Sequence, residues 1–199
     1  MSTMDTEAIA PSALGLFTEG RTQNGWLPKL VPNAQLTRLY DLVRMGPTSM
    51  NCQPMRLVFL TSAAQQQRLM PALSPGNVEK TRQAPVTAIV AYDTRFYENF
   101  PTIWHRPEAR DMFAGDEMLA KATAFRNSSI QGGYLILAAR ALGLDCGPMS
   151  GFDIAKVDNE FFPDGRWTAN FLCNLGYGDH SKLFGRQRRL DFDEACILL

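Results

Sequence analysis

The pattern of apolar positions predicts an amphipathic helix over residues 34–45. Four apolar residues recur there at helical spacing and would form one face: Leu36, Leu39, Tyr40 and Val43. Asn33 precedes them and is a residue type that often caps helices. Ser62 has the same position before a second predicted helix, which extends to Leu73.

Three short apolar runs predict β-strands. Leu57–Leu60 is the first run and begins soon after the first predicted helix. Residues 84–92 are rich in β-branched residues and are apolar on both faces, so this strand should not lie at a sheet edge. Residues 169–175 form the third run, which Gly176 and Gly178 close.

The stretch from Glu117 to Leu142 contains no proline and predicts a central helix that is covered on nearly every side. Gly143 should end it. Gly132 and Gly133 each weaken a helix by about 1 kcal/mol relative to alanine, which indicates close approach by another helix or a subunit. The alternative is a tolerated weak point. A capping-box spacing at residues 191–194 predicts a short helix over residues 195–198.

The stretch from Asp93 to Asp116 has a different character. Its aromatic residues alternate with prolines and charged residues. This mixture is typical of a surface loop, so we expect a mobile cover and not a core element.

Composition favours one folded domain over residues 1–199. The chain is 45% hydrophobic, which is enough for one substantial core. Its 20 basic and 20 acidic side chains balance, so no long-range field would gather nucleic acid or anionic lipid. The first twelve residues lack the pattern of a targeting signal, and no apolar stretch approaches the ~20 residues that span a bilayer. We therefore expect a soluble, cytoplasmic protein.

The cysteines indicate neither a disulfide framework nor a metal site. They are scattered along the chain without a Cys-x-x-Cys pair: Cys52, Cys146, Cys173 and Cys196. Only two histidines accompany them, so no zinc site is predicted. Buried free thiols are the expected state.

The most informative segment is the polar loop Gly46–Arg56, between the first predicted helix and the first predicted strand. Its hydroxyls, amides and backbone N–H groups could bind a polar heteroaromatic ring or a phosphate. The alternative is a polar turn in which Ser49 and Asn51 bond their own backbone.

The order Pro-Thr-Ser-Met-Asn-Cys-Gln-Pro-Met at residues 47–55 resembles the Pro-Ser-Ser-x-Asn-x-Gln-Pro-Trp segment of the FMN-dependent nitroreductase family. Four further segments resemble that family in its own order and extend the resemblance over nearly the whole chain: residues 21–24, 77–80, 143–153 and 186–190. The resemblance implies an α+β nitroreductase-like fold, a three-layer α-β-α sandwich. It also implies a homodimer with FMN at the interface, lined by both chains, and NAD(P)H as co-substrate.

The same resemblance assigns the FMN phosphate to both ends of the chain. Arg21, Thr22 and Arg189 match phosphate-binding positions of the family, and a guanidinium can pair a phosphate through two hydrogen bonds. Asn24 stands where the family often has a basic residue, which predicts a weaker contact. The alternative for residues 182–189 is a solvated basic tail.

For the flavin ring, the resemblance points to the middle of the chain. Lys80 matches a lysine that faces the flavin pyrimidine, where an ammonium would raise the reduction potential, and Asn77 lies one helical turn earlier. Without the resemblance, Lys80 would be an ordinary surface lysine. Asn127 and Ser129 interrupt the long helix and need partners, either flavin O4 and ribityl hydroxyls or a second helix.

A glycine-rich turn is expected to approach flavin N5. The segment Pro148, Met149, Ser150 and Gly151 resembles the Pro-x-Glu-Gly turn of the family, whose backbone contacts the ring. Ser150 replaces the usual glutamate, which should leave flavin binding intact and change substrate preference. The polar loop supplies the remaining expected cofactor contacts: Pro47, Thr48, Ser49 and Asn51.

The motifs at residues 21–26, 147–153 and 174–183 resemble a subgroup of the family that contains the malonic semialdehyde reductase of bacterial pyrimidine utilisation. This resemblance implies reduction of a small semialdehyde to 3-hydroxypropionate by ping-pong hydride transfer through FMN. Three aromatic residues are candidates for substrate contact: Phe96, Tyr97 and Trp104. No catalytic proton donor can be named from the sequence.

Other functions remain open at this stage. One is a nitroaromatic or quinone reductase with the same cofactor, and another is a protein that binds FMN without turnover. A third is an interaction module without a cofactor. The sequence does not choose between NADH and NADPH.

Overall fold

The computed structural model describes residues 12–199. The expectation about a targeting signal falls almost wholly on residues 1–11, which lie outside the described part. The α-helices of the described part are α1 Gly15–Thr18, α2 Asn33–Val43, α3 Ala63–Leu69, α4 Pro75–Gln83, α5 Phe100–Ile103, α6 Ala109–Ala114, α7 Glu117–Ala141, α8 Ile154–Phe161 and α9 Phe192–Ala195. Short 3₁₀ turns occur at Ser49–Asn51, Met70–Ala72, Phe96–Asn99 and His180–Lys182.

The strands form one antiparallel sheet in the order β1-β2-β4-β3. Their bounds are β1 Met55–Leu60, β2 Val86–Asp93, β3 Asp145–Met149 and β4 Trp167–Gly176. The three strands predicted from apolar runs are confirmed as β1, β2 and β4. Strand β2 is buried at every position and lies inside the sheet, as its two apolar faces indicated.

Helices cover the sheet on both faces and produce the predicted three-layer α+β fold. On one face, Leu39 of α2 and Leu135 of α7 pack in one core cluster with side chains of β2 and β4. On the other face, Leu69 of α3 and Val157 of α8 form a second cluster against the sheet. Because strand residues alternate between the faces, β2 contributes to both clusters.

The start of α2 differs from the prediction. Asn33 is the first helical residue, and Pro32 holds the N-cap position without a side-chain hydrogen bond, so the capping role of Asn33 is wrong. Tyr40 is also not part of the buried face, since it is 46% exposed. Ser62, by contrast, caps α3 as predicted, because its Oγ accepts a hydrogen bond from the backbone N–H of Gln65.

The long helix α7 is confirmed, but it is not covered on every side within one chain. Asp116 caps its start, and Gly143, at φ 73°, follows its end in the left-handed region that favours glycine. Ile130 and Tyr134 remain 42% and 40% exposed. One apolar stripe of α7 is therefore open at the surface of the chain.

The paired glycines of α7 have different surroundings. A Cβ added at Gly132 would lie 2.4 Å from Cε1 of Phe171 in β4, so its close neighbour is a side chain of the sheet and not another helix. A Cβ added at Gly133 would meet nothing within 4 Å among the described residues. The predicted close approach thus applies to Gly132 alone within the chain.

Residues 93–116 contain part of the core, contrary to the prediction. Phe96, Phe100 and Phe113 are almost completely buried and meet in edge-to-face contacts. Helices α5 and α6 bring these rings together, and α6 packs on α7. Proline and charge in the sequence concealed the cluster because they occupy the outer face of these short helices.

Strand β3 and helix α8 are among the elements that were not predicted. Strand β3 contains Gly147 and Pro148, which were assigned to a loop, and Pro148 is tolerated because β3 lies at the sheet edge. Helix α8 follows it, capped by Asp153, whose side chain accepts from the backbone N–H of Lys156. The terminal helix α9 has the predicted capping box between Asp191 and Glu194 but begins at Phe192, earlier than expected.

Cysteine burial follows the prediction at three positions. Cys52, Cys146 and Cys173 are buried free thiols, whereas Cys196 is exposed. Burial raises the pKa of the Cys52 thiol to about 11, so it stays protonated at neutral pH. None of the helices in residues 12–199 has both the length and the apolar character needed to cross a membrane.

Candidate functional site

Edge strand β3 holds both ends of the chain together. Thr22 forms a parallel bridge with Cys146, and Gln23 donates its backbone N–H to the Cys146 carbonyl at 2.9 Å. The Asp145 carboxylate accepts from Nε2 of Gln23 at 3.2 Å and from the backbone N–H of Gly178 at 2.9 Å. The segment after α1 and the segment after β4 therefore lie side by side.

Residues of these two segments enclose a pocket of about 260 Å³, which we term the arginine pocket. Its lining residues are Arg21, Thr22, Asn24, Phe184, Gly185, Arg186, Gln187 and Arg189. The lining contains three guanidinium groups and no carboxylate. Such a set of donors suits a phosphate group.

Hydrogen bonds to carbonyl groups position these arginines. Arg21 donates to the carbonyl of Phe184, and Arg186 donates to the carbonyl of Thr18 at 2.8 Å. Nη1 of Arg189 donates to the Gln187 carbonyl at 3.0 Å. None of these bonds neutralises a guanidinium charge, so the pocket stays cationic.

Arg188 belongs to a different environment. It pairs with the carboxylates of Asp191 and Glu194 at the start of α9 and does not line the pocket. The basic tail is thus divided between a pocket and a helix terminus.

A second corner of the site joins α4 to the turn after β3. Nδ2 of Asn77 donates to the Gly151 carbonyl at 2.7 Å, and the backbone N–H of Ser74 donates to the same oxygen at 3.0 Å. A Cβ added at Gly151 would lie 2.7 Å from Nδ2 of Asn77. Glycine is therefore needed for this close approach, which leaves Ser150 exposed beside it.

Lys80 lies one turn after Asn77 and is half-buried. Its backbone carbonyl accepts from Nε1 of Trp26 at 2.9 Å, which links α4 to the segment that carries Asn24. Desolvation lowers the pKa of the Lys80 ammonium, and within residues 12–199 no carboxylate forms an ion pair with it. A negatively charged ligand edge would compensate this loss of hydration.

The polar loop is anchored to α7. The backbone N–H of Ser49 donates to Oδ1 of Asn127 at 2.8 Å, and Nδ2 of Asn127 donates to the Thr123 carbonyl at 2.9 Å. Nδ2 of Asn51 donates to the Ile103 carbonyl at 2.8 Å. Asn127 thus has partners inside the chain and holds the loop in place.

Three residues of this loop adopt left-handed backbone angles. They are Met50, Asn51 and Gln53, at φ 53°, 49° and 39°. Residues other than glycine seldom occupy this region, at a cost of roughly 1–3 kcal/mol each, and they tend to cluster at functional sites.

Ser129 of α7 is exposed, and its hydroxyl has partners in α7 and in β4. It donates to the Phe125 carbonyl at 2.8 Å and accepts from Nδ2 of Asn170 at 2.9 Å. Met149 directs its side chain into the core, where Sδ accepts from Oγ1 of Thr81 at 3.7 Å. Only the backbone of Met149 is available to a ligand.

The predicted site residues fall at opposite edges of the sheet. The polar loop leads into edge strand β1, whereas Ser150 and Gly151 follow edge strand β3. Three strand spacings separate these edges, which corresponds to about 14 Å. Within one chain, the arginine pocket is therefore connected to the corner that Asn77 of α4 forms with Gly151, which we term the α4 corner. The polar loop lies apart from both.

A family model described as "Nitroreductase family" matches residues 21–177. The chain belongs to the nitroreductase family. The chain is 56% identical over 192 residues to a Ralstonia nicotianae protein provisionally named NADH dehydrogenase/NAD(P)H nitroreductase, and the match covers 96% of this chain and 98% of that one. A Cupriavidus pinatubonensis protein of the same provisional name is 55% identical over 92% of this chain and 95% of its own length.

Solved structures show the same fold at low identity. A provisionally named nitroreductase from Exiguobacterium sibiricum, solved in complex with FMN, has a TM-score of 0.87 and 16% identity, covering 98% of the present chain and 100% of that chain. A nitroreductase family protein from Streptococcus pneumoniae has a TM-score of 0.82 and 20% identity, covering 94% and 99%.

The aromatic residues predicted for substrate contact differ in their exposure to solvent. Phe96 is fully buried in the aromatic cluster and has no surface for a substrate. Phe96 is therefore excluded as a substrate contact, because its ring packs inside that cluster. Tyr97 and Trp104 are partly buried at the rim of that cluster, and the Trp104 ring contacts the tilted ring of His105 at 4.1 Å between centroids.

The sequence reasoning missed two residues that shape the site. Trp26 connects the N-terminal segment to Lys80 through its indole N–H. Gln131 is a buried polar residue of α7 whose Oε1 accepts from the backbone N–H of Met55 at 3.0 Å. The buried-polar criterion that selected Asn127 would also have selected Gln131.

Proposed function

We propose that this chain is an FMN-dependent reductase that oxidises NAD(P)H and acts as a homodimer. The arginine pocket beside the Asn77–Gly151 corner is the observation that carries the proposal. Its donors match the phosphate end of FMN, and the corner carries donors suited to the polar edge of a flavin ring.

The residues present fit the cofactor in their chemistry. Arg21 and Arg189 would hold the phosphate through charge-assisted hydrogen bonds, with Thr22 and Asn24 as further donors. Lys80 would face the pyrimidine edge, where negative charge on a bound ligand would offset the desolvation that lowers the pKa of its ammonium group. The absence of a side chain at Gly151 gives the backbone close access to a flat ring.

A bound flavin would supply the hydride chemistry, so the chain needs to bind it, orient it and leave one face open. The lysine charge at the ring edge would favour reduction by attracting the charge that gathers there. The backbone at Ser150 and Gly151 would lie close to N5. Since the nicotinamide and the acceptor would use the same open face, ping-pong kinetics is expected.

A second subunit would complete the site. The polar loop lies at the far edge of the sheet from the α4 corner, so the loop of one chain would reach the flavin held by the other. The exposed apolar stripe of α7, with Ile130 and Tyr134, offers a surface for this pairing. The open position at Gly133 would allow a partner helix to approach closely.

For the acceptor, we propose a small semialdehyde such as malonic semialdehyde, reduced to 3-hydroxypropionate. The support is the motif resemblance at residues 21–26, 147–153 and 174–183. A second candidate is a nitroaromatic compound, because the similar proteins from Ralstonia and Cupriavidus bear the provisional name NAD(P)H nitroreductase.

Two measurements test the proposal. The purified protein should show an oxidised flavin spectrum, and anaerobic stopped-flow mixing with NADH and with NADPH should bleach it with at least one of them. A flavin that both coenzymes leave oxidised would rule out the reductase. Turnover of malonic semialdehyde and of a nitrofuran under one coenzyme supply then decides the acceptor, with a higher kcat/KM expected for the semialdehyde.

A further inference from the structure

A second pocket, of about 250 Å³, lies where α2 ends, β1 begins and α5 ends. Its lining residues are Tyr40, Arg44, Gln53, Met55, Arg56, Asn99, Ile103 and Gln131. It shares no lining residue with the arginine pocket. We term it the Gln131 pocket.

Gln131 supplies an unused hydrogen-bond donor to this pocket. Gln131 is 3% exposed, and its Oε1 accepts a hydrogen bond from the backbone N–H of Met55. Within residues 12–199 its amide nitrogen Nε2 donates to no group. This nitrogen retains some solvent-accessible surface, so it is not a fully enclosed atom. The small surface that Gln131 retains therefore opens on the pocket. A buried amide donor without a partner indicates a ligand acceptor at that point.

The pocket also has two guanidinium groups in its lining, each paired with an aspartate that lies outside the lining. Arg44 and Arg56 line it, and no aspartate or glutamate does. Arg56 donates through Nη2 to Asp93 at 2.8 Å, and its Nη1 bonds two backbone carbonyls, so this guanidinium is fixed in direction. Arg44 contacts Asp41 only through Nε at 3.5 Å, which leaves both of its terminal nitrogens as donors. The phenol of Tyr40 adds a further donor at the rim.

Met55 and Ile103 provide the apolar part of the lining. A ligand that satisfies all of these groups has a negatively charged acceptor at one end and a short carbon skeleton. The volume limits it to a few carbon atoms, since one water molecule takes up about 30 Å³ of liquid. A planar guanidinium and an amide N–H match the two oxygens of a carboxylate.

We infer that the Gln131 pocket binds a small carboxylate anion, with Nε2 of Gln131 and the Arg44 guanidinium as its principal donors. The anion comes either from the acceptor substrate or from a separate effector. Gln53 belongs both to this pocket and to the polar loop, so occupancy would stiffen the left-handed segment that ends there.

Binding of malonate to the FMN-loaded protein, measured by isothermal titration calorimetry, tests the inference without requiring turnover. Neutral malonamide is the matched ligand control and should not bind. Arg44→Gln should weaken malonate binding by roughly tenfold or more, the usual loss for one hydrogen bond to a charged group. Arg38→Gln, on the exposed side of α2 and outside the pocket lining, should leave it unchanged.

Gln131→Glu gives a second, independent check. Glutamate keeps an oxygen to accept from the backbone N–H of Met55 but replaces the free donor with a repelling oxygen. Malonate binding should then fall by at least the same factor, with the melting temperature as the folding control. Should the glutamate variant fail to fold, Arg44→Gln decides alone. No malonate binding by the wild type, or equal binding by Arg44→Gln and wild type, would overturn the inference.

Kinetics with two acceptors then identifies the source of the anion. If the carboxylate belongs to the substrate, Arg44→Gln raises KM for malonic semialdehyde and leaves KM for a neutral nitrofuran unchanged. If it belongs to an effector, malonate alters nitrofuran turnover by the wild type and does not alter turnover by Arg44→Gln. Failure of the reductase proposal would leave the calorimetric result intact.

Discussion

The backbone N–H of Ser49 donates a 2.8 Å hydrogen bond to Oδ1 of Asn127, which fixes the polar loop on the longest helix. The Asn127 side chain is 2% exposed and donates in turn to the Thr123 carbonyl. The loop therefore owes its position to a residue far away in the sequence.

Asn127→Ala should lower the free energy of unfolding by about 1–3 kcal/mol, because it leaves the Ser49 N–H of this partly buried hydrogen bond without its acceptor. FMN retention should fall as well, since the loop loses its anchor. Urea denaturation and flavin fluorescence would measure the two effects. Ser129→Ala removes an exposed hydroxyl of the same helix and should change stability by no more than about 0.5 kcal/mol. Equal effects of the two substitutions would argue against the anchoring role.

Arg189→Gln should weaken FMN binding about ten- to a hundredfold, since a hydrogen bond to a charged group contributes about 1.5–3 kcal/mol. Fluorescence titration of the apoprotein with FMN would measure the change. Arg188→Gln is the matched control, because Arg188 pairs with Asp191 and Glu194 outside the pocket. If the Arg188 variant loses as much affinity as the Arg189 variant, the tail acts only through its net charge.

The two adjacent glycines of α7 should respond oppositely to substitution. Gly132→Ala places a methyl group 2.4 Å from the Phe171 ring and should destabilise the chain by about 1–3 kcal/mol through overpacking. Gly133→Ala meets only open space in one chain and should gain up to about 1 kcal/mol of helix propensity. Sedimentation equilibrium would measure the dissociation of the proposed homodimer. If a partner helix covers Gly133, the Gly133→Ala dimer should dissociate more readily than the wild-type dimer.

Lys80→Met should lower the reduction potential of bound FMN, because the charge at the ring edge is lost. The same change should stabilise the apoprotein. The folded pKa of Lys80 lies below its unfolded value near 10.5, so the unfolded chain binds more protons between the two values. Wild-type apoprotein stability should therefore rise with pH through that window, and the methionine variant should lack this rise. Spectroelectrochemistry and denaturation at several pH values would test both statements.

Elements with strong periodicity could be predicted from sequence. Strand β2 and helix α7 each present a long apolar pattern, and both formed close to the expected bounds. Strand β3 was invisible, because Gly147 and Pro148 lower strand propensity and only the neighbouring β4 holds them extended. Such a strand depends on tertiary hydrogen bonds that no local pattern reports.

The candidate site was predictable in part for a related reason. Arg21 and Arg189 were expected in one pocket because of a motif resemblance, and periodicity could not have paired the two chain ends. Phe96 was misjudged because prolines and charges around it suggested a surface loop, whereas three aromatic rings packed together outweigh that local signal. The free amide of Gln131 required coordinates, since the sequence does not say which partner its oxygen finds.

The arginine pocket takes its walls from Arg21 and Arg189, which are widely separated in the sequence. A folding intermediate in which the segment after β4 has not yet docked beside the segment after α1 would therefore lack this pocket. An anion that binds only to the docked arrangement stabilises it by mass action, so ligand binding and the last docking step are thermodynamically coupled.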